Sequence, residues 1–426
     1  MSDSNLQDEA VKKSHRSFIH EIFDSNFQLP IAEITTLPRC HNNFVHFLNF
    51  SKPVTANRSL SDAPGTSAIP EGTTQAVFRI GNPAGMFNHA VKVENTVAMM
   101  QLTRQALSAS NIVRRVYAWS NSVEPSGAGW ILEEYMPGIE VESKFHTELT
   151  RENQHYILSQ MASTLKAVQD FDLPPKASGF GGLAFDDDGE VISGPYVVEP
   201  YDGPYPDMIS MYKGMLQAQL KEADRSFVKG YRDNGFRDRL NAFAEKGLDN
   251  LLTKFLPEKV RPNLIIGDVV IANFLFDPDT FRVTGLVDYD CSHTGHPLHE
   301  YFFSSFSVKY CVVLPEPEVA SAIFHHYPSP LPLSEPISGP EARDDDPPQW
   351  ELMQLFETAL ANLGAARPSS IVGAENITKV YEFMALICPF HFVMDRWVSK
   401  QSQEQLQASK EKQMALLDKA LVGWGF

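Results

Sequence analysis

The chain has 426 residues, 43% of them hydrophobic and 21% charged, so a sizeable core can be buried and a mainly disordered chain is excluded. Thirty-six Lys and Arg face 53 Asp and Glu, a formal net charge of −17. That excess argues against nucleic acid or an anionic membrane surface as partner, since both need clustered basic side chains. A small molecule is the expected partner, and a cationic one would be drawn in only if some of the acids line a cleft.

The N-terminus reads Met1-Ser2-Asp3-Ser4-Asn5, with no basic stretch leading into an apolar run, so no secretory leader is expected. No stretch approaches 18 uninterrupted apolar residues. Cys40, Cys291, Cys311 and Cys388 are widely spaced without a CxxC pair, which reads as reduced thiols in a cytoplasmic protein.

Taken in order, residues 1–28 form a polar lead and an amphipathic helix, with Val11, Phe18, Ile19, Ile22 and Phe23 at helical spacing. Residues 31–37 and 44–50 are strands around a turn. Residues 51–74, rich in Ser, Pro, Gly, Ala and Thr, read as a mobile surface loop. A strand over 75–80, a helix over 90–108 and strands over 112–119 and 130–135 complete a β-rich first part. Beyond it the pattern turns helical, at 150–169, 208–256 and 299–426, with a Pro- and acid-rich insert at 328–348. The expected class is α+β in two lobes. The boundaries fall at 1–28 for an N-terminal extension, 29–136 for a small N-lobe and 137–426 for a large, mainly helical C-lobe.

The chemistry concentrates in residues 262–302. Asp268 ends a hydrophobic strand, where a carboxylate can orient a hydroxyl and accept its proton. Asn273 follows five residues later. The runs 273–276 and 283–287, joined by Asp277-Pro278-Asp279-Thr280, predict a hairpin that brings Asn273 close to Asp288. Those are two oxygen ligands of the kind Mg²⁺ prefers. A base and a hard-cation site are what phosphoryl transfer requires, because it depends on positioning and charge neutralisation.

This segment resembles the catalytic core of the aminoglycoside phosphotransferase and choline kinase branch of the protein-kinase-like fold. The family form is His-Gly-Asp, an Asn five residues on, then a hairpin ending in a hydrophobic residue and Asp. Fungal members are the most similar, through Arg39-Cys40-His41-Asn42-Asn43-Phe44, Val77-Phe78-Arg79-Ile80, Asn82-Pro83-Ala84-Gly85, Trp130 to Gly138 and Gly179-Phe180-Gly181-Gly182-Leu183. The resemblance implies ATP and Mg²⁺ as cofactors and a small hydroxylated substrate. It implies Asp268 as the catalytic base and Asn273 and Asp288 as metal ligands. Arg79 would meet the phosphates, and Asn42 and Asn43 would lie at the phosphate-covering turn. The hinge around Glu134 and Met136 would pair with adenine through its backbone. Asp290 and Glu300 are candidate substrate contacts, Glu300 also as an orienter of the loop after Asp288.

Three positions depart from the family pattern: Ile266 stands for the motif His, Val270 for a second His, and Thr96 for the acid of the N-lobe helix. They keep an alternative open, a catalytically degenerate or repurposed kinase-like protein in which Arg79 lacks an acidic partner. His293, His296 and His299 lie three apart, but Gly295 and Pro297 forbid a helix there, so they read as loop residues. Trp350 and the 384–397 region read as C-lobe core that could also line the substrate pocket.

Overall fold

The structure, a computed structural model, describes residues 3–38, 42–122, 128–198, 200–257, 259–308, 310, 312–334 and 347–426. The turn at 39–41 and the acidic run 344–346 therefore lie outside the described residues.

The chain starts with helix α1 (Asp3–Ile22), which runs into one wider turn over Phe23–Phe27. Strands β1 (Ile31–Thr36), β2 (Asn43–Phe50) and β3 (Gln75–Gly81) follow, then helix α2 (Lys92–Ala106) and strands β4 (Val116–Ser120) and β5 (Trp130–Glu134). The five strands form one antiparallel sheet in the order β1-β2-β3-β5-β4. β3 sits at its centre and is buried along its whole length after Gln75. Ile19, Ile22 and Phe23 pack with Leu48, Phe78 and Leu132 in a core of their own, so the segment set apart as an extension covers one face of this sheet.

Residues 51–74 are tied down. Val54 and Ile69 are buried, Arg58 and Ile69 pair through their backbones, and Trp119 Nε1 donates to Pro64 O at 2.8 Å. The expectation of a mobile loop is corrected here, because its anchors are contacts with distant β4 that local composition cannot reveal.

The second lobe holds α3 (Glu142–Phe145), α4 (Arg151–Gln169), the hairpin β6 (Gly182–Phe185) and β7 (Val191–Gly194), α5 (Met208–Arg225), α6 (Phe236–Ala242) and α7 (Leu248–Phe255). Next come β8 (Asn263–Ile265), the hairpin β9 (Phe274–Phe276) and β10 (Val283–Leu286), β11 (His293–Gly295) and α8 (Glu300–Phe303). Helices α9 (Pro317–Phe324), α10 (Trp350–Asn362), α11 (Ala374–Ile387), α12 (Asp395–Val398) and α13 (Gln403–Trp424) close the chain. The long helices start where the sequence supplies caps. Thr150 accepts from Asn153 N, Asp207 from Ser210 N, and Ser402 and Gln405 form a reciprocal capping box.

α2 belongs to the small lobe by sequence but is fastened to the large one. Asn95 Nδ2 donates to Ser292 O at 3.0 Å while its Oδ1 accepts from Leu183 N at 2.7 Å, and Glu94 accepts from Phe185 N. Val93, Val97 and Met100 join the same core as the C-lobe helices. Among the described residues no helix is long and apolar enough to cross a membrane.

Candidate active site

The strand β8 ends in Ile265, and the chain then turns through Ile266-Gly267-Asp268. Gly267 has φ +68°, and a Cβ there would lie 2.8 Å from Cys291 O, so only glycine fits. Asp268 follows at φ +58°. The loop is held from below. Glu300 accepts from Ile266 N at 2.8 Å and Gly267 N at 3.0 Å, Ser304 Oγ accepts from Val269 N, and Ser307 Oγ accepts from Ile271 N. Four successive hydrogen bonds fix the backbone that carries Asp268 without using its carboxylate. Such fixing is what lets two acids sit in left-handed backbone, since Asp288 also has φ +64°.

β9 and β10 pair Leu286 with Phe274 and Gly285 with Leu275, and Asp277 closes their turn by accepting from Asp279 N and from Thr280 N and Oγ1. Val287 N donates to Asn273 O at 2.8 Å, which sets the residue before Asp288 against Asn273. Asn273 Nδ2 donates to Asp268 O at 2.8 Å and to Asp268 Oδ2 at 3.2 Å. Asp268, Asn273 and Asp288 thus line one cavity of 570 Å³ between the lobes, together with Arg79, Asn42 and Asn43. Leu37, Val45 and Phe47 from the sheet and Leu275 and Leu286 from the hairpin line its apolar part.

Electrostatics in this cavity are tightly coupled. Burial, with repulsion from Asp290 and relief from Arg79, pushes Asp288 up to about 7. Burial also raises Asp268, opposed by the Asn273 hydrogen bond. Arg79 is held above its ordinary value: burial opposes its charge, but Glu133, Asp290 and Asp288 outweigh it. Among the described residues no group of three or more His, Cys, Asp or Glu could hold a metal ion unaided.

Arg79 has an acidic partner after all. Its Nε lies 2.9 Å from Glu133 Oε1, an ion pair by distance whose angle falls short of a hydrogen bond, and Arg114 Nη1 donates to the same oxygen at 2.8 Å. The acid comes from β5, because Arg79 pairs with Ile131 and Val77 with Glu133, which makes Arg79 and Glu133 diagonal neighbours on one face. Glu94 and Thr96 are turned elsewhere, Glu94 to β6 and Thr96 into the core.

Asp290 is not exposed to a substrate. It is 3% exposed, and its Oδ2 lies 3.0 Å from Lys92 Nζ and accepts from Asn43 Nδ2 at 2.7 Å. Lys92 Nζ also donates to Asn42 O and Asn43 Oδ1, both at 2.9 Å. Lys92 went unnoticed in the sequence, though a signal existed: a cation in the first turn of a helix opposes the helix dipole and needs a nearby anion. Glu300 is 1% exposed, and its carboxylate is occupied by the loop amides and Ser304 Oγ, so it orients the Asp268 loop from beneath rather than meeting a ligand. Burial pushes it up to about 7. At the hinge the cavity is lined by Glu133 and Glu140, not by Glu134 or Met136. Glu134 accepts from Arg115 N, and Met136 lies half-buried after β5.

His293, His296 and His299 form no ligand cluster among the described residues. His293 and His299 make a hydrogen-bonded chain behind the loop, from Cys291 O to His293 Nδ1 at 3.0 Å, from His293 Nε2 to His299 Nδ1 at 3.1 Å, and from His299 Nε2 to Tyr212 at 3.2 Å, while His296 Nδ1 accepts from Leu298 N. A carbonyl only accepts, so His293 Nδ1 donates, and each later tautomer follows.

A search of the curated proteins finds no match. Among solved structures the chain is similar to a candidate aminoglycoside phosphotransferase from Ralstonia eutropha JMP134, at 14% identity and TM-score 0.46, over 95% of this chain and 96% of that one. It is similar at 14% identity and TM-score 0.46 to a thermostable mutant of aminoglycoside phosphotransferase APH(4)-Ia in complex with AMP-PNP and hygromycin B, over 96% and 98% of the two chains. The ADP-bound aminoglycoside phosphotransferase APH(2'')-Ib gives 12% identity and TM-score 0.48, over 93% and 97%. These likenesses are distant, and membership rests on the sequence match. The pattern of the phosphotransferase enzyme family matches residues 67–335, well over half of the chain and the whole of the Asp268 to Asp288 segment. The chain belongs to the phosphotransferase enzyme family.

Proposed function

We propose that the protein transfers the terminal phosphoryl group of ATP, with Mg²⁺, to a hydroxyl of a small metabolite. The observation that carries this reading is the inter-lobe cavity, where Asp268, Asn273, Asp288 and Arg79 converge below the turn bearing Asn42 and Asn43. Its apolar part, between Val45 and Leu275, has the character of a base pocket, and its polar part that of a phosphate site. Asp268 acts as the base: its carboxylate faces the cavity, is kept in place by Asn273, and is raised toward the range where a proton can be accepted and released. Arg79, held charged by Glu133, balances phosphate charge.

Asn273 and Asp288 fit Mg²⁺, which needs only one or two protein oxygens when phosphates supply the others. The raised Asp288 carboxyl, beside Asp290 and Asp268, is an excess of negative charge that a divalent cation would balance. Bound there, the ion supplies neutralisation of charge on the transferring phosphate. The departures at Ile266 and Thr96 weigh little against this reading. Ile266 is core-packed and its amide is held by Glu300, and Arg79 draws its acid from β5.

Calorimetric titration with Mg-ATP tests the proposal. Binding that is lost without Mg²⁺ and lost in Asp288→Ala supports it. No binding at all leaves the degenerate kinase-like alternative.

A further inference from the structure

A second cavity, of 1190 Å³, opens in the C-lobe and holds none of the residues assigned above. One wall is Phe303, beside Ser304, whose hydroxyl holds the amide that follows Asp268. Gly85 and Met86, from the loop that leads into α2 and Lys92, line it from the small lobe. Elements next to those that carry Asp268 thus reach this cavity, while Asp268 itself lines the other one.

Its lining is aromatic and sulfur-rich. Tyr201, Tyr205, Phe303, Tyr381, Met86 and Met394 contribute to it, and Phe303 and Tyr381 lie 6.0 Å apart. Such side chains give flat, adaptable apolar surface. The rim carries Phe390, 47% exposed, and Leu314, 59% exposed, large apolar groups that water does not favour. The charges balance in spite of the chain's −17. Asp202 and Glu222 face Lys221 and Arg225, and Glu222 accepts from Arg225 Nη1 at 3.1 Å. The remaining acid and base, Asp202 and Lys221, offset each other in charge. A polycationic sugar needs several carboxylates to replace the water around its ammonium groups.

We infer that this cavity is a second ligand site and takes a large, mainly apolar ring system of low charge, not a polycationic aminoglycoside. The ligand class rests on the lining alone and is independent of the phosphotransferase reading.

Equilibrium dialysis of the full chain against 17β-estradiol, a neutral hydroxylated polycycle, and kanamycin, a polycation, tests it. Estradiol binds and kanamycin does not. Ala218→Trp, which fills the cavity from α5, weakens estradiol about tenfold or more, as overfilling of a formed pocket should. Phe390→Ala, at an exposed site where folding is not at stake, weakens it severalfold. Kanamycin binding in place of estradiol, estradiol binding unchanged by both substitutions, or no estradiol binding at its solubility limit overturns the inference. Mg-ATP titration of the same samples reads the other cavity. Loss there with the estradiol pattern intact defeats the phosphotransferase reading and leaves the ligand class standing.

Discussion

The two cavities differ in how they treat charge. Around the 570 Å³ inter-lobe cavity ionised side chains are buried and interlocked: Arg79 and Arg114 share Glu133 in its wall, and Lys92 sits on Asp290 behind it. In the 1190 Å³ cavity Glu222 pairs with an Arg225 that is mostly exposed, and aromatic rings supply the wall. Burying charge is costly unless partners are placed with precision, so the first cavity cannot change residue by residue. The second can, since apolar surface tolerates exchange of similar volumes. The residues proposed for transfer thus line one cavity, and the proposed ligand surface lines the other.

Substitution of Asp268 gives the largest contrast between them. Asp268→Asn keeps the shape and the Asn273 contact but removes the proposed base, and turnover should fall by about 10³, within the usual range for a general base. Nucleotide affinity should stay nearly the same. Turnover that survives the change would remove Asp268 from the mechanism and reduce the cavity to a binding site.

Acidity probes the layer behind the loop. Burial lowers His293 and His296 to about 4 and His299 well below its ordinary value. Their folded values lie below the unfolded 6.5, so the unfolded chain takes up protons first, and stability drops as pH falls from about 6.5 toward 4. Each contributes a slope of up to about 1.4 kcal/mol per pH unit. Asp288 and Glu300, raised to about 7, act oppositely, favouring the fold as pH falls through about 7 to 4. Three histidines outweigh two carboxyls, and buried His15 and His46 of the small lobe add to the histidine side. The melting temperature should therefore decline between pH 6.5 and 4.5. A flat or rising profile would mean that the carboxyls dominate.

Lys92 tests the interlocking directly. Lys92→Met leaves buried Asp290 with only the more distant Arg79, 4.0 Å away, at a cost of about 3 kcal/mol, as when one partner of a buried pair is removed. Adding Asp290→Asn should recover most of it, and denaturant unfolding of Lys92→Met, Asp290→Asn and the double variant reads both. Additive losses would show that the two side chains are not coupled.

What the sequence could reveal follows the same division. That Asp268, Asn273 and Asp288 come together was legible because they sit on one loop and hairpin, and a hairpin is a local structure. The sheet was legible from alternation in residues 43–50, where the inward positions are buried in turn. Glu133 as partner of Arg79 was not, because it depends on the register of β3 against β5, and nothing local sets that register. Lys92 depends on a contact across 198 residues of chain with Asp290, and the loop at 51–74 depends on β4. The cavity in the C-lobe draws on the β3–α2 loop, α5 and α11, far apart in sequence and individually ordinary. α11 itself serves twice, with Met384 and Ile387 in the core and Ala385 and Leu386 on the cavity, so either reading of that region taken alone was incomplete.

The smallest expected effect bears on the balance of charge in the larger cavity. Arg225 is mostly exposed, and its pairing with Glu222 is of the surface kind, worth about 0–1 kcal/mol. Arg225→Ala removes one base and frees Glu222 to join Asp202, which tips the lining from neutral to acidic. Kanamycin affinity should then rise, by about fivefold at most on that energy scale. The gain should shrink as salt is raised from 0.01 to 0.15 M, since the Debye length falls from about 30 to about 8 Å. Estradiol, being neutral, should not respond to the change. If kanamycin gains nothing at low salt, charge balance is not what excludes it, and the shape of the aromatic wall must carry the discrimination alone.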